Sequence, residues 1–222
     1  MSDHDTAASR SGWVTPSFEG ANVGRQQTES FWAGPKGDAY ACRSPGNVVA
    51  VTHMLGTVLQ RMEEPETIIE LGAGVGTNLR ALHMLLPRAE LAALEINPAA
   101  AVQQPGYVEQ FEGSLLDFQP NRSWDLALTR GVLIHVHPTN LRQAYHALWR
   151  ASRRYILVAE YYSPHLEEID YRGEGGRLWK GDYAGDMLDL FGDLRLVDTG
   201  WVYHRGTFPQ DDITWFLLEK RS

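Results

Sequence analysis

The stretch "TIIELGAGVGTNLRAL", residues 67–82, decides the fold. It places Gly72, Gly74 and Gly76 between a strand that ends at the acidic Glu70 and a helix that follows. Glycine allows the backbone to turn sharply and lets a ligand approach where a Cβ would block it, so the turn suits a nucleotide-like ligand. A dinucleotide fingerprint needs glycines at its first, third and sixth positions, and the sixth here is Thr77. The spacing therefore argues against NAD. Glu95 closes the next strand, 25 residues after Glu70, where a carboxylate accepts hydrogen bonds from both hydroxyls of a ribose. Two carboxylates beside a glycine loop disfavour a phosphate and suit a sugar and a cation.

Outward from this turn the chain alternates strand and helix. Strands are predicted over 66–72, 89–96, 107–113, 123–130 and 154–162, and helices over 77–86, 98–104 and 139–152. Such alternation implies right-handed crossovers and a mostly parallel sheet with helices on both faces. Residues 194–206 and 211–221 flank a short link and predict an antiparallel pair at the sheet edge. The expected fold class is thus α/β, with a Rossmann-like seven-stranded sheet. Ahead of it, Val48, Val51, Met54, Leu55, Val58 and Leu59 recur at helical spacing and predict an amphipathic helix ending before Pro65. The segment "FWAGPKGDAYACR", residues 31–43, is interrupted by Gly and Pro and predicts an N-terminal helical lid. The division expected is a tail over 1–28, mobile or ordered only by a ligand, a helical lid over 29–62, and a binding domain over 63–222. Trp13 and Phe18 are the only large anchors in the tail.

Composition narrows the function classes. A chain of 222 residues supports one sizeable core. Twenty basic against 28 acidic residues give a net charge of −8, with no Lys/Arg cluster, which argues against a nucleic-acid partner. Cys42, the single cysteine, has no partner for an internal disulfide. No apolar run approaches the roughly 20 residues that span a bilayer, and the polar start lacks a secretory pattern, so a cytoplasmic protein with no membrane partner is expected.

The strings "ELGAGVG" (70–76), "LEIN" (94–97), "GSLLDF" (113–118) and "DLALTRGVLIHV" (125–136) resemble the class I S-adenosylmethionine-dependent methyltransferases, from about Phe31 to the C-terminus. More narrowly, "FWAGPKGDAY", "RGVLIHVHP", "AEYYSP", "YRGEGGRLWKGDYAGDML" and "FPQDDITWFLLEK" are similar to methylases associated with pseudaminic acid biosynthesis. The resemblance implies S-adenosylmethionine as cofactor. It implies that Glu70 and the backbone of Gly72, Ala73, Gly74 and Gly76 face the methionine part, Glu95 the ribose, and Ile96 the adenine face. Ser114 and Leu115 would meet the adenine edge, and Thr129, Arg130 and Gly131 would line the floor beneath the sulfonium. Trp32, Tyr40, Arg43 and Asn78 complete the expected cofactor contacts.

The groups expected at the chemistry are His135, Tyr161 and Tyr162, from loops after the fourth and fifth strands, where Glu160 also lies. If "LIHVHP" is extended, His135 and His137 share one side, as a metal would require. A third ligand is missing from the spacing, so no metal is expected. His135 stands as either a loop anchor or a base, and His137 is expected to be exposed. Phe31, Trp32, Tyr40, Tyr161, Tyr162 and Tyr171 are expected at the cavity mouth, where a ring face stabilises a sulfonium by about 0.5–2 kcal/mol. Arg43 and Arg172 are the candidates for pairing a carboxylate, and Asp211 and Asp212 are expected to fix a turn. The leading function is methyl transfer to a small polar acceptor, a nonulosonic sugar or a natural-product intermediate. Two alternatives stand beside it. One is a cyclase of the same fold that closes the cofactor's amino group onto its γ-carbon, giving azetidine-2-carboxylate and methylthioadenosine. The other is a non-catalytic binding protein.

Overall fold

The computed structural model describes residues 18–43, 46–171 and 173–221. Trp13 and Arg172, and residues 1–17 of the expected tail, lie outside the described residues. The chain begins with α1 (Phe18–Trp32), α2 (Pro35–Arg43) and α3 (Val48–Leu59). It then alternates through β1 (Thr67–Leu71), α4 (Thr77–Leu85), β2 (Glu90–Glu95), α5 (Pro98–Ala101), β3 (Glu109–Glu112) and β4 (Trp124–Arg130). Next come α6 (Leu141–Ala151), β5 (Ser152–Glu160), a hairpin of β6 (Glu167–Tyr171) and β7 (Glu174–Lys180), α7 (Tyr183–Leu190), β8 (Leu194–Val202) and β9 (Ile213–Lys220).

Seven strands form one sheet in the order β3-β2-β1-β4-β5-β9-β8, parallel from β3 to β5 and antiparallel beyond. The order reverses between β1 and β4, so the crevice over their carboxyl ends is where a ligand site belongs. Alternation along the buried strands feeds two cores. Ile68, Leu126, Leu128 and Leu157 face α3 and its Val51, Met54, Leu55 and Val58, while Ile69, Ala127 and Ile156 face α6 and its Leu141, Tyr145 and Leu148. Burial on both faces is why these strands read as near-continuous apolar runs. No helix among the described residues is long and apolar enough to cross a membrane.

Three local expectations need correction. The boundary expected at residue 28 falls inside the 15-residue α1, whose sequence FEGANVGRQQTESFW carries too few apolar residues to show helical periodicity. The β6–β7 hairpin was not foreseen, because its strands are short, rich in Glu and Gly, and carry too few apolar residues to show a strand pattern. Finally, "LIHVHP" is not extended: it forms two single 3₁₀ turns, Leu133–His135 and Pro138–Asn140. His135 and His137 therefore do not project from one strand face. Among the described residues no cluster of three His, Cys, Asp or Glu side chains is placed to hold a metal ion.

Candidate functional site

The glycine turn is pinned to the neighbouring strand: the N–H groups of Gly72 and Ala73 both donate to the Leu94 carbonyl, at 2.8 and 3.1 Å. Gly72 sits at φ +81°, and a Cβ there would come within 2.6 Å of Val132 Cγ2, so it is glycine for conformation and for packing. Gly74 (φ +54°), Gly113 (φ +141°) and Gly131 (φ +66°) differ, because a Cβ on any of them meets no atom within 4 Å. Gly74, Gly113 and Gly131, which follow β1, β3 and β4, all line the same empty space.

That space is a cavity of about 170 Å³, more than ten times the room one water needs, and of a size to admit a nucleoside. Gly72 and Gly74 form its turn wall, Glu95 and Ile96 the wall at the end of β2, and Ser114 and Leu115 the wall after β3. Gly131, Val132 and His135 form the floor after β4, and Trp32 and Tyr40 close it from the lid. Each of these residues except Val132 was among the candidates named from the sequence. The Glu95 carboxylate is oriented by two backbone donors, Gly74 N to Oε2 at 2.6 Å and Asn97 N to Oε1 at 2.8 Å. Burial raises its pKa, and the N–H groups of Asn97 and Gly74 oppose that rise by favouring the anion. Each oxygen keeps a lone pair for a further donor. The Ser114 hydroxyl also accepts from Leu116 N at 3.1 Å, so it shapes its own turn as well as the wall.

Other expected site residues lie behind this surface rather than in it. Glu70 is fully buried beneath the turn and accepts from Asn78 Nδ2. Burial pushes its pKa up to about 8 despite Asn78 and the nearby Arg130. Glu70 Oε2, Asn78 Oδ1 and Arg130 Nε are buried without hydrogen-bond partners, a concentration of unspent polar capacity that native cores rarely leave. The Arg130 guanidinium donates to Gln210 at 2.6 Å. Thr129 is buried with its hydroxyl 3.5 Å from Glu160, so of the expected floor residues Gly131 alone reaches the cavity. Ala73 and Gly76 shape the turn, the latter at φ +80° capping α4. Arg43 is exposed at the end of α2, off the cavity lining.

The two tyrosines also miss the cavity. Tyr161 donates its hydroxyl to Asp211 at 2.8 Å, and burial together with that carboxylate raises its pKa far beyond the ordinary tyrosine value. Tyr162 is 43% exposed and packs on Phe216. Asp212 holds the turn as expected, accepting from His204 N at 2.9 Å.

His135 lines the cavity with its ring 4.5 Å from that of Trp32 and 5.3 Å from that of Tyr171, centroid to centroid. Its Nδ1 lies 2.8 Å from the Arg177 carbonyl oxygen, which only accepts, so Nδ1 carries the hydrogen and Nε2 is left as the acceptor. Burial presses its pKa down to about 4, against the effect of that carbonyl. His137, expected to be exposed, is half-buried in the cavity wall, where Gly24 lies flat against its ring and Nδ1 accepts from Thr139 N at 3.4 Å.

The lid is fastened at both sides. Asn97 Nδ2 donates to the Trp32 carbonyl at 2.8 Å and to Asp38 at 2.9 Å, while its Oδ1 caps α5 through Ala100 N. Across the cavity, Arg177 donates to the Gln27 carbonyl at 2.8 Å and stacks 5.0 Å over the Phe31 ring, and Lys36 pairs with Glu174 at 2.7 Å. Sequence reasoning missed Arg25, Thr28 and Glu29, which α1 adds to the lining, and it missed Asn97. Asn97 did carry a signal: Asn directly before Pro98 is the pattern of a helix cap followed by a first-turn proline.

Known proteins place this architecture. The chain matches no family model and no curated protein sequence. Solved structures do match in fold. The plantazolicin methyltransferase BpumL, in complex with a pentazolic desmethylPZN analog and SAH, superposes with a TM-score of 0.63 at 13% identity, covering 94% of this chain and 100% of that one. The 1,6-didemethyltoxoflavin-N1-methyltransferase of Burkholderia thailandensis, with bound 1,6-didemethyltoxoflavin and S-adenosylhomocysteine, gives 0.63 at 15% identity over 100% and 94%. The magnesium protoporphyrin IX methyltransferase of Synechocystis PCC 6803, with bound SAM, gives 0.63 at 13% identity over 90% and 97%. The Rossmann-like methyltransferase fold expected from the sequence is therefore the fold observed.

Proposed function

We propose that this protein binds S-adenosylmethionine and transfers its methyl group to a small polar acceptor. One observation carries the reading: a single cavity runs from the glycine turn past the oriented Glu95 carboxylate to Gly131, and the open positions at Gly74, Gly113 and Gly131 leave it unfilled. S-adenosylmethionine, when bound, supplies an electrophilic methyl on a cationic sulfur. Glu95 would accept from the ribose hydroxyls, and Ile96 with Leu115 would enclose the base. Glu70, Asn78 and Arg130 set the polar field behind the turn, where a cationic amino group and a carboxylate both find complements. Trp32 and Tyr40, rings 5.5 Å apart, would exclude water and present aromatic surface to the cation. In this reading α1 and α2 are the lid, and Arg43, Tyr161 and Tyr162 support the site without touching the reacting atoms.

His135 serves as an anchor. A base with a conjugate-acid pKa near 4 removes protons poorly at neutral pH, whereas its Nδ1–H bond to Arg177 joins the floor to the hairpin that grips the lid. The acceptor class, a natural-product intermediate or a nonulosonic sugar, follows the kinds of acceptor named for the structural neighbours and the narrower sequence resemblance. Calorimetry with the intact protein tests the cofactor: no binding of S-adenosylmethionine or S-adenosylhomocysteine would refute the reading. Release of S-adenosylhomocysteine with a candidate acceptor tests the reaction.

The aromatic rings of Trp32, Tyr40 and His135 in the cavity wall also favour a second reaction, because an aromatic, water-poor lining suits a displacement that needs no incoming acceptor. There the cofactor's own amino nitrogen attacks its γ-carbon, and methylthioadenosine leaves. Enzyme and cofactor incubated without acceptor distinguish the two by whether methylthioadenosine accumulates.

A further inference from the structure

Glu160 ends β5 directly behind the cavity floor, and both of its oxygens are spent on the loop that makes that floor. Oε1 accepts from Val132 N and Leu133 N, each at 3.1 Å, and from the Thr129 hydroxyl at 3.5 Å; Oε2 accepts from Ile134 N at 3.4 Å. These are three consecutive amides at the start of the 3₁₀ turn Leu133–His135, the donors that such a turn cannot satisfy from its own carbonyls. The loop is otherwise tied to the sheet by Gly131 N, which donates to the Ala159 carbonyl at 3.0 Å. Gly131 and His135, on either side of the clamped amides, both line the cavity.

We propose that Glu160 is the positioning residue of the cofactor site: its carboxylate sets the Gly131–His135 loop, and its protonation loosens that loop and weakens cofactor binding. This rests on reading the cavity as the S-adenosylmethionine site. A carboxylate is an acceptor on every lone pair and suits three converging N–H groups. A carboxylic acid turns one oxygen into a donor, which must face an N–H or lose its bond. Buried, the group also has no water to fall back on.

The surroundings make that protonation accessible near neutrality. Burial pushes the Glu160 pKa up to about 7, against the three amides and Arg130, which favour the anion. The charged and titratable groups facing it are Arg130 on β4, Tyr145 on α6 and Tyr183 on α7; the tyrosines are both held neutral, raised above the ordinary value chiefly by burial and in part by Glu160 itself. His135, at the far end of the same loop, is pressed down to about 4 and keeps one charge state throughout this interval. A limb near pH 7, ordinarily assigned to a histidine, belongs here to the carboxylate.

The test is calorimetric titration of S-adenosylhomocysteine from pH 5.5 to 8.5. In the wild type the dissociation constant should weaken by up to about tenfold per pH unit below about pH 7, beneath the range near pH 8 in which Glu70 titrates. His135→Asn should keep that limb. Glu160→Gln, permanently uncharged, should bind weakly and without the limb, while Glu160→Asp keeps a limb at reduced affinity and serves if the Gln variant does not fold. A Glu160→Gln protein with the wild-type profile overturns the proposal, as does a wild-type profile level from pH 5.5 to 8.5. Amide exchange of ligand-free protein separates this from the cofactor reading. If no S-adenosylhomocysteine binds at any pH while protection of Val132, Leu133 and Ile134 still falls below about pH 7, the cofactor reading fails and the clamp stands. Level protection in the wild type overturns the clamp itself.

Discussion

His135 donates its Nδ1 hydrogen to the carbonyl oxygen of Arg177 at 2.8 Å, and the guanidinium of Arg177 in turn holds the lid at Gln27 and Phe31. Cavity floor, hairpin and lid thus meet in one pair of residues. Asn at position 135 retains a side-chain N–H of similar reach. His135→Asn should therefore keep turnover within severalfold of wild type, and His135→Ala should lose cofactor affinity by about tenfold, the worth of one buried hydrogen bond. A drop in kcat of a hundredfold or more for His135→Asn, with the dissociation constant unchanged, would place a general base there instead.

Two glycines of the site should fail in different ways. At Gly131 an added methyl meets no protein atom and points into the cavity, so Gly131→Ala should fold with about 1–2 kcal/mol of strain from its positive φ and bind S-adenosylhomocysteine at least about tenfold more weakly. At Gly72 the methyl drives into Val132, so Gly72→Ala should lose more stability than Gly131→Ala. Thermal unfolding and calorimetry on both variants check the ordering.

Asn97 ties the lid to the cavity wall at the end of β2 through Trp32 O and Asp38. Asn97→Ala should cost about 1–3 kcal/mol and raise proteolytic cleavage within residues 25–45. In the wild type, saturating S-adenosylmethionine should suppress that cleavage; unchanged digestion in its presence would show that these helices do not close over the cofactor.

The pH dependence of stability follows from two buried carboxyls. Folding raises Glu160 from 4.5 to about 7 and Glu70 from 4.5 to about 8, so the folded state binds these protons more tightly than the unfolded chain. Their contribution is fully present below about 4.5 and is lost as pH rises through 7 and 8. Between pH 6 and 8.5 that loss is on the order of 4 kcal/mol, or roughly 10 °C in Tm. Asp125 and Glu219 work oppositely: net of their burial, Arg153 and Arg154 with Arg195 hold their pKa values down, and that support is lost only in strong acid. Scanning calorimetry at pH 6 and pH 8.5 should show the lower Tm at the higher pH, and Glu70→Gln should reduce the difference.

Much of the site was legible because its pieces are local. Gly72, Gly74, Glu95, Ile96 and Gly131 each stand at the end of a strand that its own apolar run announces, Ser114 and Leu115 follow the short, polar β3, and all of them line the cavity. Tyr161 and Tyr162 also follow a strand, yet strand order places them beside β9, where Asp211 and Phe216 take them up. Arg25, Thr28 and Glu29 escaped notice because α1 turns a polar face to the cavity, and a polar helix leaves no periodic trace.

Strand alternation, the glycine turn and the spacing to Glu95 were enough to define a doubly wound sheet and a nucleoside-sized site at its switch point, since burial and φ constraints write themselves into residue type. The tertiary structure alone decided which polar groups meet. Glu160 finds the amides of Val132, Leu133 and Ile134 at separations of 28, 27 and 26 residues, and His135 finds Arg177 at 42. Those partners are backbone atoms, which every residue carries and no sequence pattern marks.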